Sequence, residues 1–228
     1  MENPPAQDVI ANRTLTCDDV AALAGTPRAL VDCEIGEVDL SKFDLSRWSF
    51  ERCDLRRTDF SGANLDGTQW RSCRGPFALF IGSDLSDASF TASDFNNASF
   101  KRAILEGAKF TGCKLTGADL SDVKALDIHF EETLLIGARL IGRSFKKAKL
   151  VRVDLSQADL SKCDFRMATF QDGSLRDAVL DAARFEGADL RGADLGGVRL
   201  EDASRFRGAT ISREQAGQLL SELGLNVR

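Results

Sequence analysis

Residues 153–165 read Val153-Asp154-Leu155-Ser156-Gln157-Ala158-Asp159-Leu160-Ser161-Lys162-Cys163-Asp164-Phe165. A large apolar residue returns at every fifth position, and a small residue stands two places before it. Followed outward from Leu155, the large column runs from Leu30 to Leu200 without slipping. Leu or Phe fills 31 of its 35 positions, and Ile35, Trp70, Gly75 and Ala125 fill the rest. The small column runs from Cys33 to Ala203. Only Phe43, Trp48, Ile128 and Arg143 depart from Ala, Cys, Ser, Thr, Gly or Val.

A period of five belongs to neither an α-helix nor an uninterrupted strand. Its geometry is still readable. Residues two apart in extended chain point to one side, so the large and small residues of each unit face inward together. The residue between them faces out. The next two are mostly polar or Gly, as in Ser61-Gly62 and Asp66-Gly67, and suit a corner. Each pentapeptide is a short extended step plus a turn. Repetition winds the chain around a continuous core, an all-β solenoid.

The segments Ala118-Asp119-Leu120, Ala158-Asp159-Leu160, Ala188-Asp189-Leu190 and Ala193-Asp194-Leu195 resemble the motif of pentapeptide repeat proteins. The resemblance implies a right-handed quadrilateral β-helix with four pentapeptides per coil. It covers residues 30–204. On this reading residues 1–29 are an N-terminal extension and helical cap, and 205–228 a C-terminal helix and dimerisation tail. Thr16 with Asp19 forms an acidic capping box before a first helix, and Gly25 follows it. Ser212 with Gln215 forms a second box before a helix from about Arg213 to Leu223, with Gly224 at its stop. Ala216, Leu219, Leu220, Leu223 and Leu225 make an apolar stripe there. It either packs on the last coil or joins two copies of the chain.

The tail, from Gly208-Ala209-Thr210-Ile211 through Gln215-Ala216 to Leu223-Gly224-Leu225, resembles that of the Qnr and Mfp proteins. That resemblance implies binding to DNA gyrase or topoisomerase IV by imitation of DNA, and homodimerisation through the C-terminal helix. It also implies protection of the enzyme from quinolones or a natural poison. The alternative is a structural or adaptor rod that binds another protein. The chain has no evident loop inserted between coils, which is closer to the Mfp pattern than to the Qnr pattern.

Twelve aspartates occupy the outward column, at 39, 44, 54, 59, 84, 94, 119, 154, 159, 164, 189 and 194. With four units per coil, positions 20 apart share a face, so these carboxylates fall into rows. Asp94, Asp119, Asp154, Asp159, Asp164 and Asp194 are the candidate topoisomerase-binding ladder. The same residues are equally the ordinary filling of this column. Between Arg139 and Arg152 the charge reverses, with Arg139, Arg143, Lys146, Lys147, Lys149 and Arg152 and no acid. This stretch is either a solvated face or a surface for an acidic partner.

Two stretches are irregular. At Gly75 a core side chain is missing, and neighbouring Trp70 is expected to fill the space. Phe77, Leu79, Ile81, Leu134, Ile136 and Ile141 fall at positions that should face water. They mark either a contact surface or a local rearrangement that buries them.

Composition excludes other classes. The net charge of −5 argues against general attraction to nucleic acid or anionic membrane. No apolar run approaches the ~18 residues of a membrane span. A basic start and apolar core of a secretory signal are lacking, so a cytoplasmic protein is expected. Nucleotide-binding, serine-hydrolase and zinc-protease motifs are missing, and His129 is the single imidazole. No enzyme, cofactor or metal is expected. Five of six cysteines, Cys33, Cys53, Cys73, Cys113 and Cys163, sit in the small column, where a thiol fills an Ala-sized slot. A disulfide or metal ladder along Cys33, Cys53 and Cys73 is the competing reading.

Overall fold

The computed structural model describes residues 8–125, 127–198, 200–222 and 224–227, the side chains of 200–202 excepted. It is a parallel β-solenoid whose residues pair with those 20 further on, four pentapeptides to a coil. The chain divides into two compact units. One comprises residues 1–114 and 122–129, the other 115–121 and 130–228.

In the first unit β1 (Asp8–Ala11) is followed by helix α1 (Cys17–Leu23), then β2 (Arg28–Val31), β3 (Ser49–Glu51), β4 (Gln69–Arg71), β5 (Ser89–Thr91) and β6 (Lys109–Thr111). Each strand pairs in parallel with the next. The coil register begins ahead of Leu30. Ile10 pairs with Leu30, and Leu15 and Val20 are buried at the next steps of the large column. Helix α1 stands where a further pentapeptide would lie. Thr16 and Asp19 form the expected capping box, and Gly25 follows the helix at φ 90°.

β7 (His129–Glu131) starts on the last residue assigned to the first unit; the second unit holds β8 (Lys149–Val151), β9 (Thr169–Gln171), β10 (Gly173–Ser174) and β11 (Ala193–Asp194). A 3-10 helix (Leu200–Phe206) and helix α2 (Arg213–Glu222) follow. The 3-10 segment adds one residue to the coil. Asp189 therefore bridges Thr210, 21 positions on, and the Phe206 ring stacks on Phe185 at 4.6 Å. The winding thus extends past residue 204 with its frame displaced by one.

The corners explain the two polar positions. Among the described residues the second one after nearly every large residue has φ near +60°, Asp127 and Gly192 being exceptions, and 23 such residues are not Gly. Asp and Asn tolerate this region, but Arg, Lys, Phe77 and Met167 also occupy it. Their strain is outweighed by the coil around them. At most corners the N–H of the next small residue closes the turn on the large residue's carbonyl, as Ala63 does on Phe60 at 3.0 Å.

The core is two columns deep. Phe50, Trp70, Phe90 and Phe110 stack with centroids 4.1, 5.5 and 4.6 Å apart. Phe60, Phe80 and Phe100 form a second stack set edge-on to the first. In the second unit Phe145, Phe165 and Phe185 stack at 4.9 Å. Hydroxyls in the small column are buried but satisfied. Thr58 donates to the Ile35 carbonyl, Thr68 to Leu65 and Ser83 to Phe80.

At Gly75 the expectation fails in detail. Trp70 keeps its own place in the stack, with its Nε1 donating to Thr68 Oγ1 at 3.0 Å. Phe95, one coil on, fills the gap. A Cβ on Gly75 would lie 2.4 Å from the Phe95 ring.

The five small-column thiols are buried, and Cys53, Cys73 and Cys163 point at main-chain carbonyls 23 residues back. Burial pushes the Cys113 thiol up to about 11 and the Cys163 thiol up to about 12, which suits inert packing groups. Among the described residues no group of His, Cys, Asp or Glu could hold a metal ion.

Candidate interaction surfaces

Every one of the 12 column aspartates performs the same local task. Its Oδ1 accepts the backbone N–H two residues on: Asp94 from Asn96 at 3.1 Å, Asp119 from Ser121 at 2.9 Å, Asp154 from Ser156 at 2.9 Å. Asp159, Asp164 and Asp194 accept likewise from Ser161, Arg166 and Gly196. Asp39, Asp44, Asp54, Asp59, Asp84 and Asp189 complete the set. This side-chain turn holds an Asp or Asn at each corner entrance, and Asn64 does the same for Asp66. The pattern therefore has a structural cause that operates whether or not anything binds.

The second oxygen separates the candidates. Asp164 pairs with Arg166 at 2.6 Å, and this guanidinium holds its carboxyl below the usual range. Partial burial opposes the charge on Asp194, but Arg176 at 2.8 Å and the Gly196 N–H outweigh it and hold its carboxyl low as well. Asp154 and Asp159 also accept from the hydroxyls of Ser156 and Ser161, and Asp119 from that of Ser121. Among the described residues no ion pair compensates Asp94, Asp119, Asp154 or Asp159, whereas Asp164 and Asp194 are each held by a guanidinium.

The rows are also broken. In the second unit Asp119 is followed by Arg139, Asp159 and Val179, and Asp154 lies between Leu134 and Ser174 with Asp194 beyond. In the first unit Glu34, Asp54, Arg74 and Asp94 succeed one another. Carboxylates alternate with other groups rather than forming unbroken lines.

Helix α2 is tied to its own coil by Gln215 and by Glu222, whose Oε2 accepts the Gly197 N–H at 3.1 Å. Ser212 N–H donates to Gln215 Oε1 at 2.7 Å and Gln215 N–H to Ser212 Oγ at 3.1 Å, the expected box. Sequence reasoning missed the other half of Gln215. Its buried amide Nε2 donates to the carbonyls of Leu190 and Ala193, at 2.7 and 2.6 Å. Of the apolar stripe, Ala216 and Leu219 are half-buried, while Leu220 and Leu225 are exposed, as are Ile211 and Val227. Leu223 lies outside the described residues.

The apolar residues expected to face water stay at the surface. Phe77, Ile81 and Leu134 are exposed, with Leu79, Ile136 and Ile141 half-buried. The Arg57 guanidinium lies 5.3 Å from the centre of the Phe77 ring. His129 is exposed with Asp127 3.5 Å from its Nδ1. No helix among the described residues is long and apolar enough to cross a membrane.

Comparison with known proteins bears on both the repeat and the winding. The pentapeptide repeats family matches in eight copies, over residues 33–68 and, in overlapping segments, 83–208. No curated protein matches the chain. Among solved structures, full-length QnrB1, described as a plasmid-mediated fluoroquinolone resistance protein, is 19% identical. That match covers 96% of this chain and 98% of QnrB1, with a TM-score of 0.54. HetL, a pentapeptide repeat protein involved in heterocyst differentiation regulation in the cyanobacterium Nostoc, is 22% identical over 84% of this chain and 89% of its own, with a TM-score of 0.46. At these identities the likeness is one of fold. The family's repeats cover well over half of the sequence, and the chain belongs to the pentapeptide repeat family.

Proposed function

We propose that this chain is a cytoplasmic DNA mimic that binds DNA gyrase or topoisomerase IV and shields it from a quinolone or natural poison. It is a binding protein without catalytic groups, and it dimerises through helix α2. The observation that carries the reading is the set of outward carboxylates at Asp94, Asp119, Asp154 and Asp159. Each is fixed by a turn hydrogen bond and, among the described residues, has no Arg partner of the kind that holds Asp164 and Asp194. Fixed outward anions present charge to a protein that binds the phosphate backbone. The exposed Leu220, Leu225, Ile211 and Val227 support an apolar junction between two copies. The broken rows favour a second reading, an adaptor solenoid whose acids serve only the corners.

Substituting Asn for Asp119, Asp154 and Asp159 separates the two readings. Asn keeps an Oδ1 acceptor for the corner N–H, so the unfolding midpoint should hardly move. Removing three charges should weaken gyrase binding about tenfold or more, and binding of the natural chain should fall as salt rises. Equal affinity of the triple variant would make the acids scaffold only. Failure of the natural chain to bind either topoisomerase, or to protect supercoiling from a poison, would leave the adaptor reading.

Removal of residues 212–228 tests the junction. Light scattering should show a dimer for the full chain and a monomer for the shortened one. A monomeric full chain at micromolar concentration would end the dimer reading.

A further inference from the structure

Most arginines at the corners of this solenoid carry a carboxylate partner. Arg52 holds Asp32 through two contacts of 2.8 Å, Arg152 holds Glu132, and Arg166 and Arg191 hold Asp164 and Asp189. Lys146, Lys147 and Lys149 differ. All three are exposed, and no ion pair joins them to a carboxylate among the described residues. They stand together within the second unit, two at a corner and one on β8. Further along the winding, Asp164, Glu186 and Asp189 already face Arg166, Arg184 and Arg191.

An apolar residue lies beside them. The Lys147 N–H donates to the Arg166 carbonyl at 2.9 Å, and the Met167 N–H to that of Glu186 at 3.1 Å, so these corners stack. Met167 is 47% exposed at φ 59°, a conformation that favours Gly, Asn or Asp. Its side chain reaches over Gly187, where a Cβ would sit 3.5 Å from Met167 Cγ. A flexible thioether on a strained surface corner, one coil on from that of Lys146 and Lys147, makes the surface amphipathic.

We propose that Lys146, Lys147, Lys149 and Met167 form a docking surface for a short acidic protein segment that also carries an apolar side chain. This goes beyond the topoisomerase reading and does not rest on it. Charge complementarity sets the sign of the partner. The size of the patch favours a short segment over a nucleic acid. Asp164, Glu186 and Asp189 lie within the next two coils, and Asp159 stands one coil beyond Arg139, so an extended polyanion would soon meet its own sign.

The test uses the full chain and two labelled peptides, hexaglutamate and Glu-Glu-Leu-Glu-Glu-Leu, with short duplex DNA as a third probe. Fluorescence anisotropy at low salt should show both peptides bound, the leucine-containing one more tightly, and DNA more weakly than either. The variant Lys146→Gln/Lys147→Gln/Lys149→Gln should bind both peptides about tenfold less well or worse. Met167→Ser should abolish the advantage of the leucine-containing peptide and spare hexaglutamate. Lys101→Gln/Arg102→Gln, in the first unit, should bind as the natural chain does. Equal binding by the triple lysine variant, or tighter binding of duplex DNA than of either peptide, would overturn the proposal.

Discussion

Phe90→Ala should lower the stability of the first unit by about 3–5 kcal/mol. Phe90 has no exposed surface, and its ring is sandwiched between Trp70 at 5.5 Å and Phe110 at 4.6 Å. Three further rings meet it edge-on: Phe80 at 6.2 Å, Phe95 at 5.3 Å and Phe100 at 6.1 Å. Truncation leaves a cavity bounded by aromatic rings held in their own columns, which cannot collapse into it. Loss of ring–ring attraction adds to the loss of buried area. Phe77→Ala is the matched control. That ring is 49% exposed and has the Arg57 guanidinium over its face, so its loss should cost ~1 kcal/mol or less. Urea unfolding followed by tryptophan emission reads both, because Trp70 lies in the stack. Equal midpoint shifts for the two variants would show that the large column is misplaced.

The repeat made the backbone step legible, while the count of four steps to a coil came from the resemblance to pentapeptide repeat proteins. A large column with one frame from Leu30 to Leu200 requires the same backbone step each time. What it could not reveal are the ends, where the period is kept with different residues. Ile10, Leu15 and Val20 continue the column, but helix α1 runs through the last step and conceals it. At the other end the 3-10 segment shifts the column by one, so Phe206 and Thr210 look like a break in the repeat. A search allowing one inserted residue would have found Phe206.

The surface was less legible for a different reason. An Asp before a Leu has two explanations, and because every one of the 12 makes the corner hydrogen bond, only the partners of its second oxygen set the candidates apart. Sequence identified the carboxylates but not their partners. The Arg176–Asp194 contact spans 18 positions and the Arg166–Asp164 contact two, so no single spacing rule predicts which acids keep their charge. Gln215 illustrates the same limit. Its spacing from Ser212 signals a helix start, whereas its hold on Leu190 and Ala193 depends on where the helix lands.

Restoring the repeat's own residue at Gly75 should harm the protein. Leu is the commonest occupant of the large column, so consensus reasoning expects Gly75→Leu to stabilise. Packing argues the opposite. The first atom of any side chain at 75 would fall 2.4 Å from Phe95 Cε1 and 2.7 Å from Cδ1. Phe95 cannot swing aside, because Trp70, Phe80 and Phe90 contact it at 6.0, 5.7 and 5.3 Å. Overpacking of this kind costs about 1–3 kcal/mol, and more where neighbours are rings. The decisive comparison is the double variant Gly75→Leu/Phe95→Ala. Phe95→Ala alone should cost about 3–5 kcal/mol through its cavity. With the introduced leucine side chain entering that cavity, the double variant should be more stable than the sum of the single losses predicts, by as much as ~3 kcal/mol of favourable coupling. Additive losses would mean that Phe95 does not occupy the space over Gly75. A stabilising Gly75→Leu would mean that the missing side chain is a defect in the column, with no neighbouring coil built to complement it.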